Sequence, residues 1–145
     1  PHTFFGPTSG AMGYALPAAI SAKLARPGSP AVAFAGDGGF AMTMSELETA
    51  VRYKLERLVA IVFNNNCYGT ISRHQKREFP GRNVGTNLGK INFADIANAA
   101  GASGYAVNSN EEFPVALKSA LDAGCPAVID IAVSDKIPGP WDDMK

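Results

Sequence analysis

The sequence is poor in the features that mark secreted or membrane proteins. Only two of its 145 residues are cysteines, Cys67 and Cys125, and they lie far apart, so they indicate no disulfide framework. No apolar run approaches the ~20 residues of a membrane span, and no signal peptide is recognisable. From these absences we expect a cytoplasmic protein that has no membrane partner.

An excess of charge is also lacking. Thirteen basic residues balance thirteen acidic ones, which argues against partners that bind through bulk charge, such as nucleic acid. By contrast, 46% of the residues are hydrophobic, enough to form the core of one domain at this length. The chain begins at Pro1, and its first residues read as the middle of a sequence. We therefore expect one domain, residues 1–145, excised from a longer protein, with a polar tail over 134–145.

Short apolar runs along the chain predict buried strands. They are AVAFA (31–35), LVAIVF (58–63), GYAVN (104–108) and AVIDIAV (127–133). Continuous apolar runs of this length are typical of parallel strands that are covered on both faces. Helical patterns lie between them, so the order of elements predicts an α/β fold, a doubly wound parallel sheet with helices on both faces.

The helical patterns have recognisable ends. The alanine-rich stretch 9–25 is apolar nearly all round, which predicts a helix buried on more than one side that begins near Pro17 or is kinked there. Thr43 and Glu46 have the spacing of a capping box. Asn92 is expected to cap a helix that stops at Gly101, and a last helix should end at Gly124. Residues 78–91 show no periodicity and predict a long loop.

The stretch AVAFAGDGGF places a carboxylate, Asp37, among glycines directly after a strand. Glycine-rich turns at this position usually bind phosphate through backbone N–H groups, which a carboxylate would oppose unless a cation lies between them. Asn64, Asn65 and Asn66 follow the next strand. Because adjacent parallel strands end at one edge of a sheet, ~5 Å apart, the two groups should meet there.

An aspartate carboxylate, an asparagine amide oxygen and a loop carbonyl are hard oxygen ligands that suit Mg²⁺. Two phosphate oxygens and a water would complete an octahedron, and the N–H groups of Gly38 and Gly39 could meet the phosphate directly. On this hypothesis Asp37 holds the metal rather than facing the phosphate.

Each motif taken alone is weak. GDG can be an ordinary strand-to-helix turn, and runs of asparagine are common in loops. A dinucleotide-binding domain lacks support, because no G-x-G-x-x-G follows the first strand, and no P-loop sequence occurs. His2 and His74 are best interpreted as solvated residues. Nothing in the sequence places a histidine beside Cys67 to make it a nucleophile.

In combination, GDG after one apolar strand and NN after the next resemble the diphosphate-binding domain of thiamine-diphosphate-dependent enzymes, in the acetolactate synthase and benzoylformate decarboxylase group. The resemblance runs from GPTSGAMGYALPAAI to AVIDIAV, nearly the whole chain. It implies thiamine diphosphate and Mg²⁺ as cofactors. It also implies an enzyme, a lyase or transferase, that decarboxylates a 2-oxo acid and can pass the fragment to an acceptor.

The resemblance also implies roles for individual residues. Asp37, Asn65 and the backbone carbonyl of Cys67 correspond to the metal ligands. In SGAMG, the Gly10 carbonyl would accept from the amino group of the pyrimidine, and Met12 would hold the cofactor in a bent shape. The implied cofactor-binding set is Gly10, Met12, Asp37, Gly38, Gly39, Asn65, Cys67, Tyr68 and Gly69.

One element of the family is missing. The glutamate that activates the pyrimidine lies on another domain in this family, and no residue of this chain matches its context. Glu46 and Glu48 fit capping and surface positions instead. We therefore assign no catalytic residue and expect the 145 residues alone to be inactive. The expected partners are a 2-oxo acid and a pyrimidine-binding domain of the same or another chain, within a homo-oligomer. A non-catalytic binding or assembly module stays open as an alternative.

Overall fold

The computed structural model of the chain describes residues 3–134. The predicted tail beyond Ser134, like His2, lies outside the described residues. The strands are β1 (Ala31–Gly36), β2 (Leu58–Asn64), β3 (Ser103–Val107) and β4 (Ala127–Ala132). The helices are α1 (Ala15–Ala25), α2 (Asp37–Ala41), α3 (Glu46–Arg52), α4 (Gly69–Glu78), α5 (Phe93–Ala99) and α6 (Glu112–Asp122).

All four strands are parallel and lie in the order β1-β2-β4-β3. The chain steps outward from β1 to β2 and then to β3, and it returns from the outer β3 to the inner β4 through α6. Because crossovers are right-handed, a return step places its helix on the opposite face of the sheet from the outward steps. The predicted α/β fold with a parallel sheet is confirmed.

The alternation of side chains along β2 separates two cores. Ala60 and Val62 pack with residues of α1, α3 and α5, whereas Val59 and Ile61 pack with residues of α6. On the first face, Phe40 and Phe93 meet edge to face, with ring centroids 5.3 Å apart. Helices therefore cover both faces of the central strands β2 and β4.

At the edge of the sheet the expectation of full burial was wrong. In β1 the side chains of Val32 and Phe34 are exposed, because α6 packs on β2, β3 and β4 but not on β1. Helix α1 is likewise buried along one stripe only, formed by Leu16, Ala19, Ile20 and Lys23. The Lys23 ammonium is accommodated there by donating to the carbonyls of the turn that follows the helix, at 2.6 and 2.8 Å.

The predicted capping box is wrong. Helix α3 begins at Glu46 after Ser45, without a side-chain cap, and the Thr43 hydroxyl donates instead to the Gly13 carbonyl at 3.1 Å. The cap at Asn92 is confirmed, since its Oδ1 accepts from the N–H of Asp95 at 3.0 Å. Gly101 and Gly124 adopt positive φ at the predicted helix ends.

Two helices were not predicted. Residues 37–41 form the short helix α2 where the glycines had suggested a turn, and Gly38 and Gly39 in this helix lie close to Tyr68 and Gly13. Residues 69–78 form α4, in which Ser72 is the one buried residue. Because no apolar side chain of this helix is buried, the sequence shows little apolar periodicity there. Residues 79–92 form the irregular connection that the sequence indicated. No helix among residues 3–134 is long and apolar enough to cross a membrane.

The close approach of α5 to β3 depends on Gly104. A Cβ at this position of β3 would overlap the backbone carbonyl of Ala94 in α5. We expect Gly104→Ala to lower the free energy of unfolding by about 1–3 kcal/mol, because backbone atoms cannot yield as a side chain can. Urea unfolding followed by circular dichroism measures this. Gly28→Ala is the control, because no atom lies within 4 Å of its added Cβ. Equal stability of the two variants would contradict this packing.

Candidate cofactor and metal site

The two predicted polar motifs lie together at the carboxyl edge of the sheet. Gly36, the last residue of β1, is paired with Phe63 in β2. Asp37 and the asparagines at 64–66 therefore follow directly at the same edge of adjacent strands. The topology brings them together as the sequence predicted.

One backbone N–H joins these motifs. The N–H of Cys67 donates to Asp37 Oδ2 at 3.1 Å and to Asn65 Oδ1, also at 3.1 Å. The two oxygens thus converge on one point from different strands. Asn66 takes a left-handed conformation, φ 57°, which turns the chain so that this N–H faces Asp37.

The Asp37 carboxylate is buried, with 4% of its surface exposed. Its Oδ1 accepts from the N–H of Gly38 at 2.7 Å, and among the described residues no cation pairs with it. A buried carboxylate of this kind is costly unless it is compensated by hydrogen bonds or a cation. Each oxygen accepts one N–H and keeps a further lone pair, so the donor set fits a hard divalent cation.

The carbonyl of Cys67 is also available. Residues 66–68 form a bridge with the loop, in which Tyr68 N–H donates to Thr86 O and Leu88 N–H donates to Asn66 O, both at 2.8 Å. These two hydrogen bonds use backbone groups of Asn66 and Tyr68, which flank Cys67, and not the carbonyl of Cys67 itself. Within residues 3–134 the Cys67 carbonyl accepts no hydrogen bond. This carbonyl oxygen is therefore unengaged within the described residues, and the ligand role that the sequence predicted for it needs nothing from the cysteine side chain.

Glycines determine how closely these parts approach. A Cβ on Gly38 would overlap the ring of Tyr68, and a Cβ on Gly69 would lie 3.1 Å from Asn65 Nδ2. The N–H of Gly38 is engaged by Asp37, which differs from the expectation that it faces a phosphate. Gly39 lies next, and its Cβ would meet the backbone N of Gly13 at 3.7 Å.

The SGAMG segment lies against α2. Gly10 and Gly13 have φ of 65° and 81°, which favours glycine, and the Thr43 hydroxyl ties the Gly13 carbonyl in place. Met12 is exposed. An open groove of about 1100 Å³ is lined by this segment and also by Asp37, Asn65 and Cys67. The residues of the predicted cofactor-binding set therefore share one groove, although their roles stay predictions.

The described residues contain no group of three or more His, Cys, Asp or Glu side chains that could hold a metal ion. A metal at this edge would depend on one carboxylate and neutral oxygens, as the sequence predicted. A second buried carboxylate nearby, Asp130 in β4, was not predicted from the sequence, and it accepts from Asn64 Nδ2 at 3.0 Å. The available signal was an acid within the apolar run AVIDIAV.

Comparison with known proteins gives consistent matches. Residues 1–131 match the family described as thiamine pyrophosphate enzyme, C-terminal TPP binding domain. A sulfoacetaldehyde acetyltransferase of Alcaligenes xylosoxydans xylosoxydans is 40% identical over 97% of this chain and 24% of its own length. An acetolactate synthase of Bacillus subtilis (strain 168) is 34% identical over 92% of this chain and 25% of its own.

Among solved structures, the thiamine diphosphate-dependent 4-hydroxybenzoylformate decarboxylase of Rhodococcus jostii RHA1 superposes with a TM-score of 0.81 and 35% identity. The superposition covers 88% of this chain and 24% of the decarboxylase. The chain thus spans about a quarter of the length of the relatives that it matches.

The contact between Gly38 and Tyr68 can be tested by coupling. Gly38→Ala should lower the free energy of unfolding by about 1–3 kcal/mol, because the ring must move. In a Tyr68→Ala background the same change should cost less than about 0.5 kcal/mol, since nothing is left to overlap. Gly36→Ala, which meets no atom within 4 Å, should show no such dependence on the background. Additive effects of the first two substitutions in urea unfolding would rule out the contact.

Proposed function

Because this chain belongs to the family of C-terminal TPP-binding domains of thiamine pyrophosphate enzymes, we propose that its strand-end site binds thiamine diphosphate through Mg²⁺. One observation carries the proposal: Asp37 Oδ2 and Asn65 Oδ1 both lie 3.1 Å from the same Cys67 nitrogen. Membership of this family also excludes the alternative hypothesis that the chain is a dinucleotide-binding domain.

Three oxygens of this chain would hold the metal, namely Asp37 carboxylate, Asn65 amide and Cys67 carbonyl. Only Asp37 carries charge, so it would supply the main electrostatic attraction, while the two neutral groups define the coordination geometry. The diphosphate would complete the metal's ligands. Of the two predicted glycine donors, the Gly39 N–H would be the one left for it, because the Gly38 N–H already donates to Asp37.

The SGAMG segment would hold the organic part of the cofactor. Left-handed φ values at Gly10 and Gly13 expose backbone in the groove, and exposed Met12 is available to contact a ligand. Tyr68 and Gly69 would complete the groove beside Asn65. When bound, thiamine diphosphate supplies the electron sink for breaking the carbon–carbon bond of a 2-oxo acid. The residues of this chain would hold the cofactor in position and provide the charge and hydrogen-bond donors around it.

We further propose that the parent enzyme is a lyase or transferase acting on a 2-oxo acid, in keeping with relatives named acetyltransferase, acetolactate synthase and decarboxylase. A pyrimidine-binding domain, of the same or a partner chain in a homo-oligomer, would cover the groove. Exposed apolar side chains at its rim support this, since 89% of Phe4 and 64% of Phe34 are accessible. A cytoplasmic location stays a prediction.

Removal of the single site carboxylate should separate metal-dependent binding from folding. We expect Asp37→Ala to weaken Mg²⁺-dependent binding of thiamine diphosphate by about 2–5 kcal/mol, roughly thirty- to several-thousand-fold, because the protein would then offer the metal only neutral ligands. Asn65→Ala should cost less, since water can replace an amide oxygen. Isothermal titration calorimetry with and without Mg²⁺ measures both.

Asp122→Ala is the matched control, because this carboxylate is exposed at the end of α6. It should bind as the unsubstituted chain does. Undiminished Mg²⁺-dependent binding by a folded Asp37→Ala variant would refute the metal assignment. Binding that is independent of Mg²⁺ in every variant would favour the non-catalytic module instead.

The 145-residue chain should not turn over a 2-oxo acid by itself. Activation of the cofactor needs a carboxylate that the resemblance places on the pyrimidine-binding domain, and it needs a groove that excludes water from both sides. Release of CO₂ from pyruvate with saturating thiamine diphosphate and Mg²⁺ should therefore equal the free cofactor's background. Turnover above background would mean that the activating acid lies in this sequence.

A further inference from the structure

A second buried carboxylate lies beside the proposed metal site but outside it. Asp130 is in β4, between β2 and β3 at the centre of the sheet, and 8% of its surface is exposed. Its neighbours along the strand, Ile129 and Ile131, are apolar. A carboxylate at such a position costs free energy that an apolar residue of similar volume would avoid.

Both oxygens of Asp130 accept hydrogen bonds. Oδ1 accepts from Asn64 Nδ2 at 3.0 Å, and Oδ2 accepts from the N–H of Phe93 at 2.9 Å. Asn64 is the last residue of β2, and Phe93 is the first residue of α5. One buried carboxylate therefore joins the start of the turn at residues 64–67, which carries two of the proposed metal ligands, to the end of the 79–92 connection.

Asn64 extends this connection in two directions. Its Nδ2 also donates to the carbonyl of Ile91 at 3.0 Å, and its Oδ1 accepts from the N–H of Asn66 at 3.3 Å. Asn66 is the left-handed residue that turns the Cys67 N–H toward Asp37. The orientation of Asn64 thus influences where the following turn presents its oxygens.

We propose that Asp130 is a positioning residue for the cofactor site, acting through Asn64 on the turn at residues 64–67. This inference rests on the proposed function of that turn as the carrier of two metal ligands. Asp130 holds Asn64 so that its amide nitrogen faces the sheet and its oxygen faces Asn66. The turn is then fixed before any ligand binds, which lowers the ordering cost of binding.

The competing explanation is that Asp130 only satisfies the N–H of Phe93 at the start of α5. The two roles use different oxygens, so they can be separated by variants. Asn64→Ala removes the link to the turn and leaves the Phe93 contact. Asp130→Asn keeps one acceptor for two donors.

Two measurements on the 145-residue chain test the proposal. The first is the affinity for thiamine diphosphate with Mg²⁺, by calorimetry. We expect about 10- to 100-fold weaker binding in Asn64→Ala and in Asp130→Asn, and no further loss when Asn64→Ala is added to Asp130→Asn. Asp95→Asn, an exposed carboxylate in the first turn of α5, is the control and should bind normally.

The second measurement is amide hydrogen exchange of Asn66 and Cys67 by NMR, which needs no cofactor. Exchange there should accelerate in Asn64→Ala and Asp130→Asn relative to core amides of β2. Unchanged exchange at these two amides, or an effect confined to α5, would overturn the proposal. If the unsubstituted chain does not bind the cofactor but exchange follows this pattern, the proposed function fails while the positioning role of Asp130 stands.

Discussion

The candidate site depends on one N–H that two side chains share. Cys67 N–H can reach Asp37 and Asn65 together only because β1 and β2 are adjacent, parallel and in register to their last residues. A shift of one residue between these strands would turn every side chain of one strand to the opposite face and separate the pair. The apolar alternation of β2, which divides the two cores, therefore fixes the site as well as the fold.

Close backbone approach builds the rest of the groove. Gly13 and Gly39 let the SGAMG segment lie on α2, and the Thr43 hydroxyl closes this contact through the Gly13 carbonyl. The same hydroxyl had been expected to cap α3. The Glu46 N–H that a capping box would engage donates instead to the backbone carbonyl of Thr43 at 3.0 Å, so the Thr43 side chain is not needed as a cap.

The sequence was informative where a pattern reflects burial alone. Apolar runs predicted all four strands to within about one residue, and Asn92, Gly101 and Gly124 marked helix ends correctly. The sequence was uninformative where tertiary contacts determine whether a helix forms or a side chain is buried. Helix α4 buries little apolar surface, so no periodicity revealed it, and the exposure of Phe34 depends on which strands α6 covers. The strand-end pair was found because topology alone brings it together, whereas Asp130 depends on a side-chain partner from another strand.

Asp37 and Asp130 act at opposite ends of the same turn. Asp37 accepts the N–H of Cys67 at its end, and Asp130 accepts the amide of Asn64 at its start. Both carboxylates are buried, and both are compensated by N–H donors rather than by cations from the described residues. Hydrogen bonds of this kind stabilise a charge without neutralising it. The two oxygens of Asp130 are used by strand and helix partners, so its charge is committed to the scaffold. Asp37 lines the groove and Asp130 does not, so Asp37 is the carboxylate to which a divalent cation bound there would be drawn.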